Sequence, residues 1–390
     1  MRPIILITMG DPAGIGPEVA VKALMEPSLY AMCKPVIVGT EAALSEAAAQ
    51  SGAKARLKRL SAPGKAQGEC GCIEFLQPAS CPENARFAPG KVDAGAAEAA
   101  FACIVEAIRL TQEGQAAAVA TAPINKEALH LSGHNFSGHT EIFAHYTGAK
   151  EYAMLLVHGP LRVIHCTTHV SLRQACDLIT RERVLATIRL ANLAARQLRL
   201  PTARIAVAGL NPHCSENGLF GWEEARAIAP AIADARQEGI DATGPVPPDT
   251  VFVKAASGQY DMAVAMYHDQ GHIPVKLLGF HMDEATGTFC AVGGVNITVG
   301  LPIIRTSVDH GTAFDQAGKN RANPQSMIDA IRMAARMAGG SDAAAPGHFG
   351  GRFDRRPGYG RAVLRPRPGN PDFLARGGDG RRKRRGRGGF

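Results

Sequence analysis

Long apolar runs, a leader-like N-terminus and closely paired cysteines are all missing from this 390-residue chain. No apolar stretch reaches the roughly 18 to 20 residues that a membrane span requires, so we expect a soluble protein without a membrane partner. The first residues, MRPIILITMGDP, lack a small-residue cleavage site, which favours a buried first strand over a signal peptide. We therefore expect a cytoplasmic protein.

The nine cysteines are an odd number and contain no C-x-x-C pair. This spacing indicates neither a disulfide framework nor a zinc ribbon. Cys70, Cys72 and Cys81 could in principle hold a metal ion, but reduced thiols in a cytosolic protein are the favoured interpretation.

The dinucleotide-binding motif G-x-G-x-x-G does not follow any predicted strand, so a standard Rossmann assignment is unsupported. Two other glycine-rich loops are present. Residues 9–18, MGDPAGIGPE, stand between a strand and an alanine-rich helix, and Pro17 suits the first helical turn. Residues 309–319, DHGTAFDQAGK, contain small side chains that would let the backbone approach a ligand closely.

Short apolar runs alternate with alanine-rich stretches of helical spacing. The predicted strands are residues 3–8, 35–38, 117–121, 162–166, 204–208 and 262–266, and two long predicted helices are residues 94–113 and 181–198. This alternation indicates an α/β protein with a largely parallel sheet or sheets. We find no internal repeat of fixed period.

Positive charge is concentrated at the C-terminus. The chain has 43 basic and 35 acidic side chains, and residues 346–390 hold 13 of the basic and 3 of the acidic ones. The rest of the chain holds 30 basic and 32 acidic side chains, so its net charge is near zero. Residues 341–390 are rich in Arg and Gly and poor in apolar side chains, which predicts a disordered tail. Clustered Arg could contact nucleic acid through phosphates, but an accidental extension, such as a shifted reading frame, is the favoured interpretation.

Three histidines follow predicted strands at equivalent places: His169, His213 and His268. Three imidazoles without cysteine are typical of a catalytic divalent-metal site with an open coordination position. Asp249 and Asp269 could orient these imidazoles or carry a proton. The alternative for both carboxylates is a turn or a helix cap.

Residues 137–141, SGHTE, indicate a tight turn into a helix, which could present backbone N–H groups and a hydroxyl to an anion. A simple helix cap is the alternative. Lys126, Lys276 and Arg305 are possible phosphate or carboxylate partners, since Arg can bind either group through two hydrogen bonds.

Seven segments together resemble one enzyme family. They are GDPAGIGPE, TAPINKEAL, SGHTE, the TTH turn, GLNPH, YHDQGHIPVK and GLPIIRTSVDHGTAFDQAGK. In this order they resemble 4-hydroxythreonine-4-phosphate dehydrogenase, over about residues 3–338. The family is related to the isocitrate and isopropylmalate dehydrogenases. The resemblance implies two α/β/α lobes with a cleft between them. It places residues 1–135 and 300–340 in a nucleotide-binding lobe and residues 136–299 in a lobe for metal, substrate and dimerisation.

The resemblance implies oxidation of the C3 hydroxyl of 4-phosphooxy-L-threonine by NAD or NADP, followed by loss of CO2 to give 3-amino-2-oxopropyl phosphate. It also implies a homodimer whose divalent metal (Zn, Mg or Co) is held by histidines of both subunits. Residue by residue, it assigns the metal to His169, His213 and His268. It assigns the substrate to His139, Thr140, Lys276, Asn296 and Arg305. The nucleotide loop corresponds to Gly311, Thr312, Asp315 and Gly318.

Two segments depart from the family pattern. Residues 281–293 are inserted before Gly294, Val295 and Asn296, and the tail has no counterpart in the family. Residues 215–220 and 271–274 are more similar to a paralogous group that acts on D-threonate and D-erythronate 4-phosphates. These substrates are therefore the alternative to the amino acid phosphate. A distant alternative is a nucleic-acid binder that uses the basic tail.

Overall fold

The computed structural model describes residues 2–53, 55–200, 203–282 and 289–339, with the backbone alone at 289–292. The predicted tail lies outside the described residues, as does part of the predicted insert.

Strands and helices alternate along most of the described chain. The strands are β1 Ile4–Thr8, β2 Lys34–Val38, β3 Arg56–Arg59, β4 Cys72–Leu76, β5 Ala118–Thr121, β6 Ala153–His158, β7 Leu161–His165, β8 Ile205–Ala208, β9 Ala242–Val246, β10 Met262–Ala265, β11 Phe280–Met282, β12 Phe289–Val292, β13 Val295–Val299 and β14 Ile304–Val308. The α-helices are α1 Gly16–Ala23, α2 Pro27–Met32, α3 Glu41–Ser51, α4 Ala94–Gln112, α5 Lys126–Leu131, α6 His139–Thr147, α7 Leu172–Leu178, α8 Arg181–Gln197, α9 Ala229–Gln237, α10 Pro248–Ala256, α11 His268–Gly279 and α12 Gln325–Met337. Short 3₁₀ turns at Pro63–Lys65 and Pro212–Glu216 and a π-helical turn at Glu224–Ile228 complete the described elements.

Twelve strands form one sheet in the order β3-β4-β2-β1-β5-β14-β13-β6-β7-β10-β8-β9. In this spatial order, the first six strands, β3-β4-β2-β1-β5-β14, pair in parallel with their neighbours. The last four strands, β7-β10-β8-β9, do so as well. Antiparallel pairs join these two blocks at the centre, between β14 and β13, β13 and β6, and β6 and β7. A separate antiparallel hairpin is formed by β11 and β12. The α/β class predicted from the sequence is confirmed.

Burial on both faces explains the long apolar strands. All residues of β5, β8 and β10 are buried, because helices cover both sides of a parallel sheet. The long helix α4 buries a stripe of small side chains together with Phe101, Ile104 and Ile108. Asp93 caps its N-terminus by accepting a hydrogen bond from the amide of Ala96 at 2.8 Å. In the described part of the chain, no helix is both long and apolar enough to cross a membrane.

Candidate active site

A cavity of about 330 Å³ lies over the antiparallel centre of the sheet. We call it the central pocket. Its walls come from the end of β5, the start of α6, the strands β6, β13 and β14, and the helix α11. The residues that line it are Pro123, Ile124, Lys126, Ser137, Gly138, His139, Thr140, Glu141, Met154, His169, His272, Lys276, Asn296, Arg305, Ser307, Val308, Asp309, His310 and Gly311. The structure thus brings the five residues assigned to the substrate together with His169 and Gly311.

Buried polar atoms without a hydrogen-bond partner are concentrated in the central pocket. They are His139 Nε2, Glu141 Oε2, Asn296 Oδ1, Arg305 Nε, Asp309 Oδ2 and His310 Nε2. Enclosed polar groups are almost always satisfied in folded proteins, and an unsatisfied one costs about 1–3 kcal/mol. A set of such atoms around one cavity indicates a site for a polar ligand.

Arg305 forms part of the pocket floor and is only 2% exposed. Its guanidinium donates hydrogen bonds to Thr298 Oγ1 at 2.9 Å and to Thr121 Oγ1 at 2.8 Å. The same group lies over the ring of Phe143, 5.6 Å from its centroid. Burial lowers the pKa of Arg305 to about 9, and the charge of Glu141 opposes this shift. Even so, Arg305 is a cation at neutral pH, and its free Nε is available to an anionic ligand.

The start of α6 forms the wall beside Arg305. Thr140 Oγ1 lies 3.4 Å from Thr298 Oγ1, which is itself bonded to Arg305. Burial and the neighbouring Arg305 charge hold the pKa of His139 well below its ordinary value. His139 is therefore a neutral hydrogen-bonding group at this wall. Gly138 precedes the helix, and the predicted turn into a helix at residues 137–141 is confirmed.

The three histidines predicted as metal ligands follow neighbouring parallel strands. His169 follows β7, His268 follows β10, and His213 follows β8, so all three turns lie at the same edge of the sheet. The rings of His169 and His268 are 5.7 Å apart, centroid to centroid. Among the described residues, no three His, Cys, Asp or Glu side chains of this one chain are close enough together to hold a metal ion.

The two predicted catalytic carboxylates lie at the surface of the chain. Asp269 is exposed, and its Oδ1 lies 2.6 Å from Nδ1 of His268. This contact leaves Nε2 of His268 as the nitrogen that could bind a ligand. The hydrogen bond to His268 is the main reason that the pKa of Asp269 is lowered. Asp249 is exposed in the first turn of α10.

The turn that carries His213 is unusual in its backbone. Residues 213–217 all have positive φ, although none of them is Gly. Glu224 holds this turn, because its carboxylate accepts hydrogen bonds from the amides of Leu210 and Asn211 at 2.8 and 2.7 Å and from the hydroxyl of Ser215. Burial alone would raise the pKa of Glu224, but the hydrogen bonds from Asn211 and Ser215 outweigh it and lower the pKa.

His165 and His272 extend the histidine group inward. The ring of His272 stacks on that of His268 with 3.6 Å between centroids, and His165 lies 4.7 Å from His272. Nδ1 of His272 is 2.9 Å from the carbonyl of His268, and Nδ1 of His165 is 3.2 Å from that of Met154. Burial lowers the pKa of His272 to about 3 and that of His165 to about 4, so both rings are neutral at neutral pH.

The two glycine-rich loops pack against each other. The amide of Ile15 donates to the carbonyl of Thr312 at 3.0 Å, and a Cβ added to Gly14 would lie 2.9 Å from Thr312. Gly318 lines a small second cavity of about 30 Å³ together with Pro12, Gly14 and residues 85–87. Gly311 lies instead in the central pocket. Asp315 is partly exposed and accepts a hydrogen bond from Gln316 at 2.6 Å.

Four residues of the site were not predicted from the sequence as individual functional residues: Glu141, His272, Asp309 and His310. Asp309 directly follows β14, and His272 lies one helical turn after His268. Position after a strand and helical spacing are signals that could have identified them. The sequence does not show which polar side chains are buried in one pocket, so these signals alone did not identify the four residues.

The fold and the central pocket define an α/β protein with a polar ligand site of mixed charge, flanked by histidine-bearing turns. Residues 31–334 match the family described as pyridoxal phosphate biosynthetic protein PdxA. The chain therefore belongs to the PdxA family.

Curated relatives in this family bear two names. D-threonate 4-phosphate dehydrogenase of Salmonella typhimurium is 48% identical over 86% of this chain and 98% of its own length. A relative from Geobacter metallireducens, 4-hydroxythreonine-4-phosphate dehydrogenase, is 47% identical over 86% of this chain and 96% of its own length. The crystal structure of 4-hydroxythreonine-4-phosphate dehydrogenase from Klebsiella pneumoniae is 47% identical, with a TM-score of 0.76 over 86% of this chain and 100% of that one. Family and relatives make this chain an oxidoreductase.

Proposed function

We propose that this protein oxidises the C3 hydroxyl of a four-carbon, 4-phosphorylated hydroxy acid with NAD or NADP and releases CO2 from the product. One observation carries the proposal: six buried polar atoms without partners belong to residues that line a single pocket, and this pocket contains both cationic and carboxylate groups. Such a pocket suits a substrate that has a phosphate at one end and a carboxylate and hydroxyl at the other. Enclosure of the substrate strengthens each of these polar contacts.

The substrate is proposed to lie on the buried cation and the start of α6. Arg305 is held by Thr298 and Thr121, so its charge cannot turn away from the pocket. Lys276, on α11, supplies a second cation that lines the same pocket. His139, Thr140 and Asn296 would then bind the remaining oxygens. Two cations on different elements can hold the two acidic ends of one ligand and fix its middle carbons for reaction.

A divalent metal (Zn, Mg or Co) is proposed at the turns of His169, His213 and His268. The contacts fit in part: His169 and His268 are neighbours, and Asp269 orients the ring of His268 as carboxylates do beside metal-bound imidazoles. When bound, a divalent cation polarises the reacting hydroxyl and the neighbouring carbonyl. Because one chain does not gather all three rings, we propose that two subunits complete the site. Asp249 stays a predicted second carboxylate there.

A homodimer is also proposed on grounds of exposed apolar surface. Large apolar side chains are exposed on the segments that follow the three histidine turns and on β11. They are Val170, Leu172 and Leu178, then Leu219, Phe220 and Trp222, then Ile273, Leu277, Leu278 and Met282, together with Val253 after Asp249. An exposed group of this kind is typical of an interaction surface. Burial of this surface by a second copy would place its histidines near those of the first.

The cofactor is proposed to bind at the loop that contains Gly311, Thr312, Asp315 and Gly318. This loop runs from the central pocket at Gly311 to the second cavity at Gly318. The reactive end of NAD or NADP would then reach the substrate near Gly311, while the rest of the cofactor extends along the loop towards Gly318. In this arrangement residues 1–135 and 300–340 form the nucleotide-binding lobe, and residues 136–299 form the metal, substrate and dimerisation lobe. The family's biosynthetic role suggests a cytoplasmic enzyme.

The first candidate substrate is 4-phosphooxy-L-threonine, because the family is named for pyridoxal phosphate biosynthesis and the Geobacter metallireducens relative for this substrate. The second is D-threonate 4-phosphate, because the Salmonella typhimurium relative bears that name and residues 215–220 and 271–274 are similar to that group. These substrates differ by an amine or a hydroxyl at C2. The identities of 48% and 47% do not separate them.

The test is NADH absorbance with purified protein, NAD, each substrate in turn, and Mg, Mn, Co or Zn. We expect turnover that requires the metal and is lost in His213→Ala. The higher kcat/KM identifies the substrate. An exposed histidine, His130, supplies the matched control, and His130→Ala should keep full activity. Absence of turnover on both substrates with every metal would contradict the proposed function.

A further inference from the structure

Asp309 stands where the proposed substrate and cofactor sites meet. It directly follows β14, which contributes Arg305 to the pocket floor, and it precedes Gly311 and Thr312 of the glycine-rich loop. Asp309 itself lines the central pocket. The carbon that loses a hydride must lie between the substrate residues and the nicotinamide, so a side chain at this junction can touch the reacting atoms.

The backbone of Asp309 is held in place, and its carboxyl oxygen Oδ2 is left without a partner. Its backbone amide donates to Ser326 Oγ at 3.1 Å, and that hydroxyl donates to the carbonyl of Gly294 at 3.0 Å. Oδ2 is buried and has no hydrogen-bond partner. Gly294 packs beside Oδ2, where even an added Cβ would lie at ordinary contact distance, 3.4 Å, and it offers Oδ2 no polar side chain. An enclosed carboxyl with a free acceptor atom is available to a ligand hydroxyl.

The other carboxyl groups of the site are placed differently. Asp269 is exposed and occupied by His268, and Asp249 is exposed on α10. Glu141 also has a buried, unpartnered oxygen in the pocket, but it belongs to α6, near Lys126, and does not adjoin the glycine-rich loop in the chain as Asp309 does. Position therefore favours Asp309 for contact with both substrate and cofactor.

We propose that Asp309 is a further catalytic residue, the base that takes the proton of the C3 hydroxyl. This inference rests on the proposed function. The O–H bond breaks and its proton passes to the Asp309 carboxylate. The C3–H bond breaks and its electron pair and hydrogen pass as hydride to NAD or NADP, the co-substrate. The electrons of the O–H bond form the C3=O double bond, so the step balances and leaves Asp309 protonated, able to return the proton after CO2 is lost.

The surroundings of Asp309 suit a group that gains and loses a proton near neutral pH. Burial raises the pKa of Asp309 to about 6, while the charges of Lys276 and His268 on α11 oppose the rise. Its neighbour His310 is neutral, because burial lowers the pKa of that ring. The packed groups Gly294, just before β13, and Ser326, on α12, carry no charge. A base of this strength ionises at pH 7 and still accepts a proton during reaction.

Asp309→Asn tests this role, since it keeps the shape of the side chain but cannot accept the proton. We expect kcat to fall by about 100-fold to 1,000-fold, while the affinity for NADH, measured by fluorescence, and the melting temperature stay within error. Asp241→Asn, at an exposed aspartate before β9, is the matched control and should keep wild-type kcat. Asp309→Ala leaves a space in the pocket, and added formate should raise its kcat at least about tenfold, with no such rise in Asp309→Asn.

The outcomes separate this inference from the proposed function. If wild-type protein is inactive on both substrates, the proposed function fails and the inference fails with it. If wild-type protein is active but Asp309→Asn keeps more than half of its kcat, only the inference is overturned. A collapse of kcat in Glu141→Gln together with formate rescue of Glu141→Ala would likewise overturn it and move the proton to Glu141.

Discussion

At the scale of single residues, Arg305 shows how the chain keeps a positive charge inside its core. The guanidinium forms no salt bridge with any described carboxylate; two threonine hydroxyls and the ring of Phe143 hold it instead, and its Nε is left without a partner. Such a cation remains able to attract an anion from solvent. Arg305 could be predicted from the sequence as an anion-binding residue, because arginine binds phosphates and carboxylates and because the family resemblance assigns it to the substrate. Its threonine partners come from β5 and β13, and only the sheet order brings them together.

The geometry around Arg305 predicts that Lys cannot replace it. In Arg305→Lys a single ammonium cannot satisfy Thr298, Thr121 and a ligand at once, so we expect kcat/KM to fall by about tenfold to a hundredfold. Steady-state kinetics on the better substrate measure the change. Arg189→Lys, at a surface ion pair with Glu238, is the control and should be neutral. Equal values for both variants would contradict a role for Arg305 in binding.

Buried neutral histidines predict how stability depends on pH. The pKa of His165 is lowered to about 4 by burial, whereas an unfolded histidine titrates near 6.5. Above about pH 6.5 both states are neutral and His165 contributes no pH dependence. Below pH 6.5 the unfolded chain binds a proton at His165 that the folded chain does not bind. The free energy of unfolding therefore falls as the pH decreases towards 4. The loss is at most about 1.4 kcal/mol per pH unit. Asp309 and Asp11, whose pKa values burial raises to about 6, act in the opposite direction.

A variant isolates the histidine effect from these carboxylates. Urea unfolding of metal-free protein at pH 6.5 and at pH 5 should show a smaller loss of stability in His165→Asn than in the wild type, by about 1–2 kcal/mol. Parallel losses in the two proteins would show that His165 does not titrate as the structure indicates.

At the scale of elements, the agreement between sequence and structure depends on burial. The six predicted strands and both long helices are confirmed to within one residue at most ends, because apolar runs such as β1 are buried on both faces. The strand β3, Arg-Leu-Lys-Arg, lies at the sheet edge, and β14, Ile-Arg-Thr-Ser-Val, has three polar residues at its centre, so neither forms an apolar run. Both were missed. The antiparallel centre joins two local pairs, β6–β7 and β13–β14, through the pairing of β13 with β6, which are distant in the chain, and no local pattern records that contact.

The turn after β8 is an element whose shape depends on one carboxylate. In Glu224→Gln the amides of Leu210 and Asn211 would lose their charged acceptor, and we expect the free energy of unfolding to fall by about 1–3 kcal/mol. Urea denaturation measures this loss, and Glu69→Gln, at an exposed position, is the neutral control. Metal affinity measured by equilibrium dialysis should weaken as well, because the turn positions His213. Unchanged stability would contradict this account of the turn.

At the scale of the whole molecule, the exposed apolar side chains predict a dimer. Leu277, on α11, is 78% exposed in the single chain. A charge there would be buried in the proposed interface without a partner, so Leu277→Glu should shift the protein from dimer to monomer in sedimentation experiments. Leu131→Glu, at a leucine that is 64% exposed on α5, is the matched control and should leave the dimer intact. A wild-type protein that sediments as a monomer at all concentrations would contradict the proposed dimer.

The most direct test of the proposed reaction, oxidation followed by decarboxylation, is the simultaneous measurement of NADH and CO2 from one phosphorylated substrate in the presence of metal. If the central pocket carries out oxidation followed by decarboxylation, the two products form in equal amounts, and both are lost in Arg305→Lys in the same proportion. NADH without CO2 would contradict the decarboxylation, and failure to form either product from both substrates would contradict the account of the pocket as a whole.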